Sequence, residues 1–160
     1  TRIVRCAPSL GYMLGDEGSG TFLGKQLITA YLLGTLPTEL ATALEQTSDF
    51  SRDTLIHRLY REPEPNRTMA SLAPFVHQHL DRPFMHQLAL EAFKAFFAIQ
   101  KTCFAEETEL SWQLSGSVAY HFRDIVREAA AAEGCRVGDI VAAPMDLLIE
   151  YYKTTSLCKQ

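Results

Sequence analysis

The sequence Leu14-Gly15-Asp16-Glu17-Gly18-Ser19-Gly20 sets two adjacent carboxylates among three glycines, directly before a stretch with helical periodicity. Glycine lets the backbone adopt positive φ angles and approach a ligand closely, and the paired carboxylates could hydrogen-bond sugar hydroxyls or organise a metal ion. The dipole of the following helix also favours acidic residues near its N-terminus without any ligand. Residue chemistry alone therefore leaves both a binding loop and a helix cap open, and the cap is the simpler interpretation.

Predicted helices follow this loop in close order. Apolar residues recur at helical spacing from about Ser19 to Leu33, with Ser19 as the expected N-cap and Gly34 as the expected C-cap. Further helices are predicted over about 37–47, from Ser51 onward, over about 69–80 and over about 84–105, with a rigid connector at 62–66. The longest of them carries a stripe of phenylalanines that we expect in the core: Phe93, Phe96, Phe97 and Phe104.

The last third of the chain changes to alternating strands and helices. Strands are predicted over about 110–114 and 137–142, with a helix over about 119–133 between them that Gly134 ends. A strand over about 2–7 and a final helix over about 144–152 complete the pattern. Strand–helix–strand order is typical of a parallel sheet. The predicted fold class is therefore α/β, a small sheet that carries a large helical insertion.

A second loop, Ser115-Gly116-Ser117-Val118-Ala119, joins a predicted strand to a predicted helix. Backbone N–H groups at such a turn point out of the carboxyl edge of the sheet, where a phosphate or a nucleoside can bind. The loop is not a P-loop, because GxxxxGK[ST] occurs nowhere in the chain. Similar turns are common in α/β proteins that bind nothing, so this signal is weak by itself.

The charge balance excludes two classes of partner. The 160 residues carry a net charge of -4, whereas a nucleic-acid binder needs a basic face and a membrane-surface protein needs a polybasic patch.

No stretch is long and apolar enough to span a bilayer, and no signal peptide is visible. The chain starts at Thr1 inside a predicted strand, so we expect that further protein precedes it.

The cysteines and histidines form no predicted metal or catalytic site. The cysteines are scattered without a CxxC pair, as is typical of reduced cytoplasmic thiols: Cys6, Cys103, Cys135 and Cys158. We expect Cys103 and Cys135 to be buried, since their neighbours are apolar. His77 and His79 do not share a helix face. His121 follows the second loop closely enough to touch a ligand, although a solvated or core histidine is the simpler interpretation.

Together the two loops resemble a known family. The stretch Leu14–Gly20, followed by Gly24, is similar to the LGDEGSG…G signature of the N-acetylglucosamine kinases and the related BadF/BadG/BcrA/BcrD ATPases. Gly116-Ser117-Val118-Ala119 resembles their GSVA turn, and the stretch 144–152 resembles their closing PI-x-GL-x-x-Y helix. The resemblance covers nearly the whole chain, and its first motif is the specific one.

The resemblance implies a fold and a domain organisation. Members of this family are actin-like ATPases with two lobes of ribonuclease-H-like topology, and ATP and sugar meet in the cleft between the lobes. Residues 1–160 would form the C-terminal lobe alone, with a small mixed sheet and a helical insertion at about 36–106. The catalytic aspartate and the DGGGT phosphate loop belong to the N-terminal lobe, and neither occurs in this chain.

The resemblance also assigns roles to both loops. Asp16 would bind hydroxyls of the sugar, and Gly15, Glu17 and Gly18 would shape the same substrate-binding wall. The second loop would be the nucleotide-binding turn on the adenosine side, through Gly116, Ser117 and Val118. No catalytic residue and no metal ligand is assigned within this chain, and the implied cofactors are ATP and Mg²⁺.

The activity implied by the resemblance is ATP-dependent phosphorylation of an amino sugar, N-acetylglucosamine. The intact protein would be a cytoplasmic enzyme that binds the sugar, ATP and its own N-terminal lobe, with a homodimer left open. This chain alone would be inactive. Leu10 stands where the family often has a tryptophan that contacts the sugar. In the closing helix, Leu147 stands where the family usually has glycine, and Tyr152 where it often has histidine. These departures leave open a non-catalytic sugar-binding sensor. The other alternative within the superfamily is a BadF-type ATPase activator, which the scattered cysteines disfavour because they form no cluster motif.

Overall fold

The computed structural model describes residues 5–48, 50–107, 109–145, 148, 149 and 152. Its helices are α1 Gly11–Leu14, α2 Gly20–Leu33, α3 Thr38–Ser48, α4 Arg52–Arg61, α5 Pro65–Ala70, α6 Ala73–Gln78, α7 Pro83–Cys103, α8 Ser117–His121 and α9 Arg123–Ala132. Its strands are β1 Ser111–Ser115 and β2 Arg136–Val141. Of the strand predicted over 2–7, residues 5–7 are described and have no regular secondary structure. Of the final helix predicted over 144–152, the described residues 145, 148, 149 and 152 are helical, and the Leu148 N–H donates to the Pro144 carbonyl at 2.9 Å.

The predicted ends of α2 are confirmed. The Ser19 hydroxyl accepts a hydrogen bond from the Phe22 N–H at 3.1 Å, which satisfies one of the N–H groups that a helix start leaves unpaired. At the other end Gly34 takes a left-handed φ of 72°, which favours glycine. Ser51 likewise caps α4, and α7 covers the long helix that the sequence predicts over 84–105.

Two stretches predicted as single helices are each divided in two. The stretch 69–80 contains the end of α5 and all of α6, because Pro74 has no N–H to donate to the carbonyl four residues earlier. Pro65 starts α5 inside the predicted connector. The stretch 119–133 contains the end of α8 and all of α9, which meet at the buried Phe122. These breaks bring the end of α6 close to the end of α8.

The core lies mainly among helices. The largest fully buried side chains of the described part are Leu23, Leu27, Leu44, Leu55, Leu72, Val76, Met85, Phe97 and Val126. From the predicted aromatic stripe, Phe93 and Phe97 are buried as expected, whereas Phe96 is half-buried. Phe104 instead packs edge-on against Trp112, with 5.7 Å between the ring centroids. None of the described helices is by itself long and apolar enough to cross a membrane. Helices α2 and α3 together have the length and composition of a membrane span, but they are bent by 116° relative to each other.

Helices α2 and α5 approach each other closely at Gly24. A methyl group built on Gly24 would overlap the backbone carbonyl of Met69 in α5. Only glycine leaves room for two backbones at this separation. The last glycine of the sequence signature therefore sets the packing of the helix that follows the acidic loop.

Strands β1 and β2 run parallel, as the strand–helix–strand pattern predicts. The register shifts by one residue opposite Gln113, whose Oε1 accepts a hydrogen bond from the Asp139 N–H at 2.6 Å. A Cβ atom on Gly138 would overlap the amide group of the Gln113 side chain, which would have to move away from the shift. In the part of the chain that the structure describes, each strand has one neighbour, which leaves one edge of each strand unpaired.

The predicted burial of two cysteines is wrong. Cys103 and Cys135 are half-buried, and Cys6 is exposed, all three as free thiols. Cys135 follows the left-handed Gly134 at the end of α9 and lines a small hollow beside Trp112, so one side of it stays open. Partial burial nevertheless raises the pKa of the Cys135 thiol, which therefore stays protonated at neutral pH. Cys158 lies outside the described residues.

One hydrogen bond between α2 and α3 gives the stability a pH dependence. The Tyr31 hydroxyl donates to Glu45 Oε1 at 2.5 Å, and this bond together with burial raises the pKa of Tyr31 above 10.0. Because the folded-state pKa is the higher one, the stabilisation is present below about pH 10 and is lost as the pH rises further. We expect Tyr31→Phe to lower the free energy of unfolding by about 1 kcal/mol at pH 7, and by progressively less above pH 10, in urea denaturation. A difference that persists at high pH would contradict this.

Candidate functional site

The two loops singled out in the sequence meet across a cavity of about 380 Å³. The second half of the acidic loop, residues 17–20, forms one wall, and the β1–α8 turn, residues 115–118, forms the other. Aromatic and aliphatic side chains from α7 and α9 form the floor, namely Phe93, Phe96 and Val126. Two loops that lie far apart in the chain therefore share one site.

The acidic loop is held in a tight turn. The Ser19 N–H donates to the Asp16 carbonyl at 3.0 Å, and Asp16 and Gly18 have φ angles of 65° and 75°. Packing as well as the positive φ favours glycine at position 18, because a Cβ atom there would lie 3.1 Å from Cβ of Phe96 and 3.2 Å from Cδ1 of Phe93. An aspartate at positive φ is uncommon, and strained backbone is concentrated at functional sites.

The structure separates the two carboxylates of this loop. Asp16 is exposed and does not line the cavity, whereas Glu17 is half-buried and lines it. Gly15 is buried, and a Glu17 carboxylate oxygen lies beside it. Neither carboxylate makes a hydrogen bond or ion pair with any other described residue. Of the four residues predicted to bind substrate, Glu17 and Gly18 thus face the turn, and Asp16 faces solvent.

The β1–α8 turn opens onto the cavity at Gly116. Its φ of 130° and ψ of 153° lie in a region that is essentially restricted to glycine, and a Cβ atom there would meet nothing within 4 Å. The Gly116 N–H donates to the Val141 carbonyl at 2.9 Å, which fixes the turn to the end of β2. Ser117 and Val118 then begin α8. All three predicted nucleotide-binding residues line the cavity.

A second groove of about 470 Å³ adjoins the first cavity. Gly20, Ser117 and Val118 line both spaces, so the two lie side by side at these residues. Helices α5 and α6 supply an apolar wall, formed by Ala70, Ala73 and Pro74. The polar side chains of His77 and Gln78 lie at the end of this wall. The pair of spaces offers an apolar slot next to a cavity with a carboxylate.

His121 lines the second groove together with His77. The His77 Nε2 atom lies 3.1 Å from the His121 carbonyl oxygen, and the two rings are 5.8 Å apart. The His77 ring also packs edge-on against Phe122, at 5.1 Å. Sequence reasoning missed His77, because its place at the site depends on how α6 packs against α8, and no local pattern records that.

The described residues do not build a metal site. No three His, Cys, Asp or Glu side chains come together among them in a way that could hold an ion. Mg²⁺ prefers octahedral oxygen ligands and is often held by one or two carboxylates with water and substrate phosphates. A Mg²⁺ ion that enters with the phosphates of a substrate would need no such group of three side chains.

The chain was compared with protein families, curated proteins and solved structures, and one kind of enzyme is similar to it. No protein-family model and no curated protein matches the sequence. Among solved structures, a Porphyromonas gingivalis protein provisionally described as an N-acetylglucosamine kinase aligns with 91% of this chain at a TM-score of 0.84 and 34% sequence identity. This chain spans about half of that protein, 51% of its length. The likeness supports a sugar-kinase fold for the helices and the small parallel sheet described above.

Proposed function

We propose that this chain is the C-terminal, substrate-binding lobe of a two-lobe ATP-dependent kinase that phosphorylates an amino sugar, N-acetylglucosamine. The observation that carries the proposal is the cavity in which the acidic loop meets the β1–α8 turn. The similar P. gingivalis protein supports the kinase class, and about half of its length has no counterpart here. A second lobe of the same ribonuclease-H-like topology would supply the catalytic base and the phosphate-binding loop.

Asp16 is the proposed sugar-binding residue. Its carboxylate is exposed and has no partner among the described residues, so it is free to accept hydrogen bonds from sugar hydroxyls. Bonds to an ionised acceptor are stronger than bonds between neutral groups. The hydrogen bond from the Ser19 N–H helps to hold the Asp16 backbone in its left-handed conformation, which sets the direction in which the side chain leaves the backbone. Gly15 and Gly18 flank it without side chains of their own.

The β1–α8 turn and the second groove are the proposed binding site for the adenosine of ATP. The apolar wall formed by Ala70, Ala73 and Pro74 suits a flat base, and His77 and Gln78 offer polar atoms at its end. Gly116 places no side chain in the path of a ligand that enters from the first cavity. Ser117 and Val118 border both spaces and would lie against the nucleoside.

Phosphoryl transfer depends on positioning and on charge stabilisation more than on covalent chemistry of the protein. In the proposed kinase this lobe orients two substrates. The acidic loop holds the sugar with one hydroxyl toward the nucleotide, and the turn holds the adenosine. The attacking hydroxyl then loses its proton to the base in the other lobe. Alone, this chain would bind weakly and catalyse nothing.

The ATPase-activator alternative gains no support from the structure. An activator of that type holds an iron–sulfur cluster through cysteines at a subunit interface. Within the described ranges, Cys6, Cys103 and Cys135 are free thiols, and no group of metal-ligand side chains includes them. The sensor alternative differs from a kinase only in turnover, so an assay separates the two.

The test is ADP release by the whole protein with Mg-ATP and a panel of hexoses and amino sugars. We expect sugar-dependent ADP release with the highest kcat/KM for N-acetylglucosamine, and none from residues 1–160 alone. Sugar binding without ADP release would replace the kinase with the sensor. Absence of both binding and turnover across the panel would contradict the proposed function, and turnover by this chain alone would contradict the two-lobe division.

A further inference from the structure

Glu17 has the only ionisable side chain among the described residues that line the first cavity. Its carboxylate lies beside the buried Gly15 and has no hydrogen-bond or ion-pair partner in the described ranges. The floor beneath it is apolar, formed by Phe93, Phe96 and Val126. A half-buried carboxylate without a partner is satisfied only by water or by a ligand. The cavity therefore presents an unpaired negative charge to whatever enters it.

This charge decides which part of a nucleotide fits the cavity. Among the described residues no lysine, arginine or histidine lines the cavity, so a phosphate group there would face the Glu17 carboxylate with no cationic side chain of this lobe beside it. The hydroxyls of a neutral ring would instead donate hydrogen bonds to it. One carboxylate can accept bonds from two neighbouring hydroxyls, because it has two oxygens. The cavity thus selects a neutral, hydroxyl-bearing ring over a polyphosphate.

The adjoining groove indicates which ring this is. Gly20, Ser117 and Val118 line both spaces, so the apolar groove and the cavity are neighbours, and a ligand lying across these residues would occupy both. The groove suits a flat heteroaromatic base, with His77 and Gln78 as its polar groups. A base joined directly to a hydroxylated ring is a nucleoside. The ring that reaches Glu17 is then its ribose.

We infer that Glu17 recognises the 2′- and 3′-hydroxyls of the ribose of ATP, and not the sugar that is phosphorylated. This inference rests on the proposed function and deepens it, because it divides the two carboxylates of the acidic loop between two substrates. Asp16, on the solvent side, binds the sugar. Glu17, on the cavity side, binds the nucleotide and selects a ribonucleotide over a deoxyribonucleotide.

The experiment compares the dissociation constants of ATP, 2′-deoxy-ATP and 3′-deoxy-ATP for the whole protein by titration calorimetry. We expect the unchanged protein to bind each deoxynucleotide on the order of tenfold more weakly than ATP, as for loss of one hydrogen bond to a charged group. Glu17→Ala should bring all three constants within about twofold of one another. Glu17→Gln keeps one acceptor oxygen and should retain part of the preference. Glu62→Gln, which removes a carboxylate on the surface beyond α4, is the matched control and should keep the full preference.

The outcomes distinguish this inference from the proposed function. Equal binding of ATP and both deoxynucleotides by the unchanged protein would overturn the ribose assignment alone. A Glu17→Ala variant that keeps the full preference, or that raises the KM for the sugar while the preference is unchanged, would also overturn it and return Glu17 to the sugar side. Failure of the protein to bind ATP at all would overturn both. Circular dichroism and the thermal midpoint establish that each variant is folded.

Discussion

Replacing Gly24 with alanine is expected to lower the free energy of unfolding by about 3 kcal/mol or more. The added methyl group would overlap the Met69 carbonyl, which is a backbone atom and cannot rotate away as a side chain does. Helices α2 and α5 must therefore move apart, and the core beneath α2 loses contacts. Thermal unfolding should show a midpoint lower by roughly 10 °C, and urea denaturation should show the same loss of free energy.

A matched control lies one turn earlier in the same helix. A Cβ atom on Gly20 would lie 3.4 Å from Cβ of Ala73, an ordinary van der Waals contact. Alanine is also the better helix former, so Gly20→Ala should change the stability by about 0.5 kcal/mol or less, or raise it. Equal losses in the two variants would mean that the glycine content of the helix, and not the contact with Met69, determines the effect.

Changing Asp16 to asparagine is expected to lower kcat/KM for the sugar by roughly 100-fold in the ADP-release assay of the whole protein. Asparagine tolerates the left-handed conformation of this position, so the fold of the loop is kept and only the charge is lost. Hydrogen bonds from sugar hydroxyls to a neutral amide are weaker than those to a carboxylate. The affinity for ATP should change little, because Asp16 does not line the cavity beside the turn.

The control for this change is Asp124→Asn, which removes an exposed carboxylate at the start of α9. It should leave the sugar kinetics unchanged. If Asp16→Asn also leaves kcat/KM for the sugar unchanged, the sugar does not bind at the acidic loop. If it weakens ATP binding and sugar binding equally, the division of roles between Asp16 and Glu17 is wrong.

Local features of the fold could be predicted well from the sequence. The caps of α2 at Ser19 and Gly34, the long α7 and the parallel strand pair all follow from patterns within a few residues. The predictions failed where contacts between residues far apart in the chain determine the local structure. Phe122 interrupts a continuous helical pattern as its ring enters the core beside Phe93.

The candidate site could be predicted only in part. Both loops were identified from their composition, but their meeting across one cavity depends on how α7 and α9 pack beneath them. For the same reason the sequence could not tell which of two neighbouring carboxylates turns inward. That choice depends on the positive φ of Asp16 and on the packing of Gly18 against Phe96. His77 enters the site through the contact between α6 and α8, which leaves no trace in the local sequence.

Each strand of the small sheet has one edge without a partner among the described residues, and such edges affect how a protein behaves at high concentration. Unpaired N–H and C=O groups along a strand edge are a template on which other chains can add strands, which leads to self-association. Both strands are short, and the residues exposed along them are all polar or charged: Ser111, Gln113, Ser115, Arg136 and Asp139. Such side chains disfavour the stacking of further strands. The polar faces of β1 and β2 therefore protect a sheet that would otherwise be prone to aggregation.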